Sequence, residues 1–239
     1  MQKYLIKGAL ALASAAICGS VWAAPATIAI GFENPANAGS VYFGGDTFTD
    51  TGFKFSAVDP NGAGFVGATI NGLAPADSSA CSLSICPSAS SSYYGVLNDG
   101  SVRMERGDGG SFRLAGFDAG FIAEFLDGSL FGPGLGQLIV NGGTGAGMMT
   151  ETFVLDGLLN DGTTAFAHFD FSSAFSDMAF TEVSFTACLW DAGSCTAGAS
   201  FNLAKFGLDN IAVIPEPGSY ALVGLGLLAA AGARRRRNV

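Results

Sequence analysis

Histidine is nearly missing from this chain: among 239 residues, only His168 could serve as an imidazole base. A serine or cysteine triad would have to be built on that residue, and no Gly-x-Ser-x-Gly elbow presents it with a nucleophile. Positive charge is scarce as well. Eleven Lys and Arg face 20 Asp and Glu, and six of the eleven are Lys3, Lys7 and Arg234, Arg235, Arg236 and Arg237 at the chain ends. Residues 24–214 hold 5 basic and 19 acidic side chains, a net charge of −14, which repels nucleic acid and anionic lipid and attracts divalent cations. Helical periodicity is absent from the interior, where no window holds it for three turns without a glycine or a β-favouring cluster. The glycine-rich run Gly142-Gly143-Thr144-Gly145-Ala146-Gly147 lacks the Lys-Ser/Thr of a phosphate loop, and it lacks the aspartate a calcium-binding glycine repeat would place at Gly147. It reads as an inter-strand loop. Paired carboxylates leave no local trace, so the expectation of a non-enzymatic domain rests on the missing bases and elbows.

The two ends are richer. Lys3 and Lys7 precede an apolar run at 8–17, and Val21-Trp22-Ala23 offers small residues where a signal peptidase reads. Cleavage is expected after Ala23, since one residue later would set Pro25 directly beyond the cut. Ile17 is too large to precede a lipidated cysteine, so Cys18 leaves with the signal helix. At the other end Ile214 meets Pro215-Glu216-Pro217, which breaks any incoming helix or strand. The apolar stretch Tyr220 to Ala233 has 14 residues, short of the roughly 20 that cross a hydrocarbon core comfortably, and Arg234 to Arg237 then hold it on the cytoplasmic side. The expectation is a transient inner-membrane anchor behind an exported domain.

Pro-Glu-Pro, an apolar helix and an arginine cluster at the extreme C-terminus resemble the PEP-CTERM sorting signal of Gram-negative bacteria, with Ile214 where Val is usual. The resemblance implies that a membrane exosortase recognises and removes the tail, delivering the protein to the cell surface or the exopolysaccharide layer. The interior also resembles a recurrent PEP-CTERM subfamily. The residues concerned are Gly64-Phe65-Val66-Gly67-Ala68, Asn98-Asp99-Gly100, Ser111-Phe112-Arg113-Leu114, Gly116-Phe117-Asp118-Ala119 and Phe206-Gly207-Leu208-Asp209-Asn210-Ile211. That likeness implies no particular activity.

Three segments follow: a signal peptide at 1–23, a domain at 24–214 and the sorting tail at 215–239. In the domain, 35 glycines across the whole chain punctuate short apolar runs as in an all-β protein. Strands are expected at 27–33, 51–58, 64–70, 93–97, 101–106, 110–117, 120–125, 136–140, 148–155, 164–171, 181–190 and 205–214. Asn98-Asp99-Gly100 reads as a hairpin turn between the fourth and fifth of these, and 148–155 as the partner of 164–171. In 181–190, Val183, Phe185, Ala187 and Leu189 alternate with polar residues, the mark of a sheet with one wet side. The expected fold is all-β: a two-sheet antiparallel sandwich of jelly-roll type, flanked by the signal helix and the C-terminal apolar helix. Cys81 with Cys86 and Cys188 with Cys195 form two close pairs in an exported chain, neither with zinc-knuckle spacing, and are expected as local disulfides worth about 2 kcal/mol each.

No catalytic residue is assigned. His168 shares a strand face with Asp170 and reads as an ordinary strand histidine. Glu33 closes the first strand and Asp209 enters the last. By analogy with carbohydrate-binding jelly rolls, where those strands adjoin, the two are candidate ligands of a structural calcium, the one cofactor considered. Tyr93, Tyr94 and Trp190 are candidate sugar-stacking aromatics. The expected function is an exported surface or matrix protein associated with exopolysaccharide, with a carbohydrate-binding module as the alternative. Its expected partners are signal peptidase and exosortase, and nucleic acid is not among them.

Overall fold

Phe53, Phe55 and Ala57 alternate with Lys54 and Ser56 along one six-residue strand, and only the apolar series is buried. That period of two, repeated from strand to strand, builds two facing sheets with an aromatic core between them. The computed structural model describes residues 27–124, 135–191, 194–196 and 205–214, with 124, 190, 191 and 194–196 described at the backbone alone. The expected signal peptide, the Pro215-Glu216-Pro217 motif, the apolar run after it and the four terminal arginines lie outside the described residues. Among the described residues, no helix is long and apolar enough to cross a membrane. Thr27–Pro215 is one compact unit.

The first sheet contains β1 (Ile28–Ile30), β2 (Val41–Phe43), β5 (Phe65–Asn71), β7 (Ser92–Val96), β9 (Arg113–Phe121), β13 (Phe166–Asp170) and β16 (Phe206–Ile214). Its order is β13-β9-β16-β7-β5-β2, and β1 also pairs with β16. The second sheet contains β3 (Thr47–Asp50), β4 (Phe53–Val58), β8 (Ser101–Arg106), β11 (Gly136–Thr144), β12 (Gly147–Leu155), β14 (Glu182–Asp191) and β15 (Ser194–Thr196). Its order is β12-β11-β14-β8-β4-β3, with β15 beside β14. A two-stranded pair, β6 (Ser84–Ile85) with β10 (Ala123–Glu124), stands apart. All the pairings are antiparallel, so the expected two-sheet sandwich is present.

Rings fill the space between the sheets. At one end Phe32, Tyr42, Phe48, Phe55 and Tyr94 touch one another with centroids 4.5 to 6.3 Å apart. Toward the other end Phe117 meets Phe153, Phe169, Phe171 and Phe185, and Phe175 stacks between Phe171 and Phe180. Gly142 is bare because a β-carbon there would overlap the Phe180 ring. A second, smaller core lies on the outer face of the first sheet, where residues 72–91 fold over Ala68, Ile70, Tyr93 and Ile122. Two 3₁₀ turns, Pro75–Asp77 and Ser79–Cys81, and the Cys81–Cys86 disulfide shape that cover.

Two expected pairings are corrected. Asn98 and Asp99 do adopt the positive φ of a tight turn, but β7 and β8 on either side of it belong to different sheets, so the turn carries the chain across the sandwich. Likewise β12 pairs with β11, and β13 pairs with β9 in the opposite sheet. The glycine-rich stretch is mostly strand as well: β11 runs to Thr144 and only Gly145 and Ala146 form the loop. Two short marginal strands, β2 and β3, occupy residues 41–50, which had no strand assigned.

Candidate functional site

β16 is one of the two nine-residue strands of the first sheet, and the candidate residues gather around it. One side pairs with β9. The other pairs first with β7 through Phe206–Leu208 and then with β1 through Ile211–Val213. Asp209 and Asn210 fall at the gap between those two partners, where the register against β9 shifts. Asn210 takes φ +47° there, and such a bulge lets adjacent residues share one face. Glu33, just beyond β1, is carried to the same place, so the expected side-by-side first and last strands do bring Glu33 and Asp209 together.

Each of these carboxylates is engaged by hydrogen bonds. The Ser91 hydroxyl donates to Asp209 Oδ2 at 2.7 Å and the Asn210 N–H to Oδ1 at 2.8 Å, while Glu33 Oε1 accepts the Ser92 N–H at 2.5 Å. Burial pushes the Asp209 carboxyl up to about 6. The two donors pull it back, and the nearby charges of Asp118 and Glu33 add to the rise. Beyond Asn210, whose side-chain amide donates to Asp118 Oδ2 at 2.8 Å, lies His168, with Nδ1 2.6 Å from Asp118 Oδ1 and Nε2 3.3 Å from Asp170. The hydrogen bond with Asp118 holds the imidazole above its ordinary value, against the opposing effect of burial. This acidic strip with one histidine spans β13, β9, β16 and β1. Among the described residues no group of three or more His, Cys, Asp or Glu is arranged to hold a metal ion. Asp118 and Asn210 stood in the sequence only as part of the subfamily-like motifs, with no site role, and Ser91 was not marked. Only the fold, with Asp118 and Asp209 at paired positions of adjacent strands, identifies them.

The aromatic candidates fare differently. Tyr93 and Tyr94 are 0% exposed, so neither can offer a ring to a sugar from solvent. Tyr94 points into the main core and Tyr93 into the small outer core, edge-on to Phe166 with centroids 4.9 Å apart. Burial drives both phenols well above the ordinary tyrosine value. Trp190 lies in β14, and its side chain is outside the described residues. Cys188 is disulfide-bonded, while Cys195, on β15 opposite Trp190, is described at the backbone alone. A different aromatic pair does reach solvent: Phe43 on marginal strand β2 is 47% exposed, and its ring lies 6.0 Å from that of Phe65. Phe65 borders a shallow cleft of about 230 Å³ whose other walls are Asp59, Asn61, Gly64, Val66 and Asn98.

β16 ends at Ile214, and residues 213–237 match the family model described as the PEP-CTERM protein-sorting motif. The chain carries a PEP-CTERM sorting motif. The match begins within the folded strand, at Val213, which is buried against the core, so the sorting motif follows the sandwich without a spacer. Such a motif marks an exosortase substrate for export, with the cell surface or the extracellular space as its destination. No curated protein matches the PEP-CTERM chain by sequence. Among solved structures it is similar to "Carbohydrate binding module family29", 12% identical over 72% of this chain and 85% of that one, with a TM-score of 0.34. It is also similar to TmCBM61 in complex with β-1,4-galactotriose, 8% identical over 68% and 88%, with a TM-score of 0.29. Likeness at those scores transfers no ligand.

Proposed function

We propose that this PEP-CTERM protein is a non-catalytic surface or matrix component, released from the inner membrane by an exosortase and retained among exopolysaccharide as an acidic sandwich of jelly-roll type. The observation that carries this reading is the sorting motif at 213–237, whose first residues belong to the last strand of a domain with net charge −14. Signal peptidase and exosortase are its processing partners. In this reading calcium is not required, since hydrogen bonds from Ser91 and Asn210 engage both Asp209 oxygens and the Ser92 N–H engages Glu33 Oε1. The expected outcome is a melting temperature unchanged by millimolar calcium or by chelator, and a calcium-dependent rise would overturn that part. Fractionation of producing cells tests the main reading, which requires the protein to co-purify with the polymer layer.

A second reading, carbohydrate binding, draws on the exposed Phe43 ring and the half-buried Phe65 beside the cleft with Asp59, Asn61 and Asn98. Sugar C–H faces pack on aromatic rings while amides and carboxylates take the hydroxyls. Phe43→Ala should weaken retention on the host polysaccharide about tenfold without lowering thermal stability. Equal retention of the variant and the parent protein would eliminate this site.

A further inference from the structure

The free margin of the second sheet is β12, nine residues long, whereas the other margins β2, β3 and β13 have three, four and five. Its hairpin with β11 closes on the pair Thr144 and Gly147, which is hydrogen-bonded in a two-residue turn. Counting from there by twos, Gly147, Met149, Glu151, Phe153 and Leu155 direct their N–H and C=O groups at β11. Met148, Thr150, Thr152 and Val154 direct theirs away from the sheet, and among the described residues no strand pairs with that side. Folded proteins shield such margins with Lys, Pro, short length, bulges or inward-pointing charges. β12 contains no Lys or Pro and shows no register shift. Its one shielding feature is the inward-turned charge of Glu151, which accepts the Ser172 N–H at 3.0 Å.

The outward side chains read Met148, Thr150, Thr152, Val154: apolar, threonine, threonine, apolar. Both ends are open, with Met148 71% and Val154 58% exposed. In a twofold contact residue i meets residue j and j meets i, so what matters is whether each residue suits its partner across the axis. Opposed antiparallel, Met148 faces Val154 of a second copy and Thr150 faces its Thr152, and threonine pairs of this kind are favourable across strands. Charge does not exclude this occupant. Most of a domain with net charge −14 repels a second copy of itself, whereas this nine-residue margin carries a single charge, the half-buried Glu151, which is hydrogen-bonded to the Ser172 N–H.

We propose that β12 is a self-association edge through which two copies of this protein join their second sheets into one continuous antiparallel sheet. Strand pairing alone buries a small interface, and the two Glu151 side chains meet at its centre, so the contact is weak and operates where copies are crowded. This proposal does not depend on what the domain binds.

Sedimentation velocity of the exported protein over a concentration series is the test. The parent protein should show a dimer that grows with concentration. Thr152→Pro removes an outward N–H and leaves the β11 ladder intact, and Thr150→Lys adds a charge to the edge; each should weaken association about tenfold or more. Val41→Lys, on the margin of the first sheet, should leave it unchanged. A parent protein that stays monomeric at every concentration overturns the proposal, as does association that survives Thr150→Lys or falls equally with Val41→Lys. If Thr152→Pro lowers the melting temperature, Thr150→Lys decides.

Discussion

Asp209 is 2% exposed and still hydrogen-bonded on both carboxylate oxygens, so its charge is tolerated at a cost that depends on pH. Its folded value of about 6 lies above the ordinary 3.8. Stability from this group is therefore fully present below about 4 and is lost as pH rises through 6. His168 acts with the same sign: held above 6.5 by Asp118, it contributes below its ordinary value and loses that contribution as pH rises through the folded one. The domain should melt at a higher temperature at pH 5 than at pH 8, and Asp209→Asn should reduce that difference to the part His168 supplies when melting is followed by circular dichroism. A melting temperature that rises with pH over this range would contradict the assignment. The core makes a larger prediction. Phe117→Ala removes a ring in contact with four others and should cost about 3–5 kcal/mol in denaturant unfolding. At this scale the sequence was half legible. Glu33 and Asp209 could be brought together from their strand ends, whereas Tyr93 and Tyr94 were misread as sugar platforms: Tyr94 faces the main core, and residues 72–91 cover Tyr93 on the outer face of β7.

The cover over that face is the element with the clearest test. Residues 72–91 are cross-linked internally by the Cys81–Cys86 bridge and tied down at their C-terminal end by the Ser91 and Ser92 bonds to Asp209 and Glu33. Cys86→Ser should cost about 2 kcal/mol of global stability and speed proteolytic nicking within 72–91, because the six-residue loop loses its cross-link. Unchanged nicking would mean that the serine bonds alone hold the cover. Strand positions were largely legible, since turns such as Asp59-Pro60-Asn61-Gly62 and the alternation in β14 are local signals. Strand partners were not. β7 is buried from Tyr93 to Val96 on both faces, so it shows no alternation, and its neighbours β5 and β16 lie far from it in sequence. A turn can reverse the chain without deciding which sheet receives it, and that is how the hairpin expected at Asn98-Asp99-Gly100 became a crossing.

For the whole molecule, an acidic, aromatic-filled sandwich is joined at its last strand to a sorting motif. Because Ile214 is paired with Arg113 and Val213 with Leu114, residues up to Ile214 are held in the fold, and processing is expected beyond them. This level was the most legible in the sequence, since Pro215-Glu216-Pro217, the apolar run and the arginine cluster are contiguous and depend on no tertiary contact. The measurement that bears most directly on the account is the intact mass of the protein recovered from outside the cell. The predicted product begins at Ala24, retains Ile214 and lacks Arg234 to Arg237; an extracellular product that keeps its terminal arginines would contradict the account.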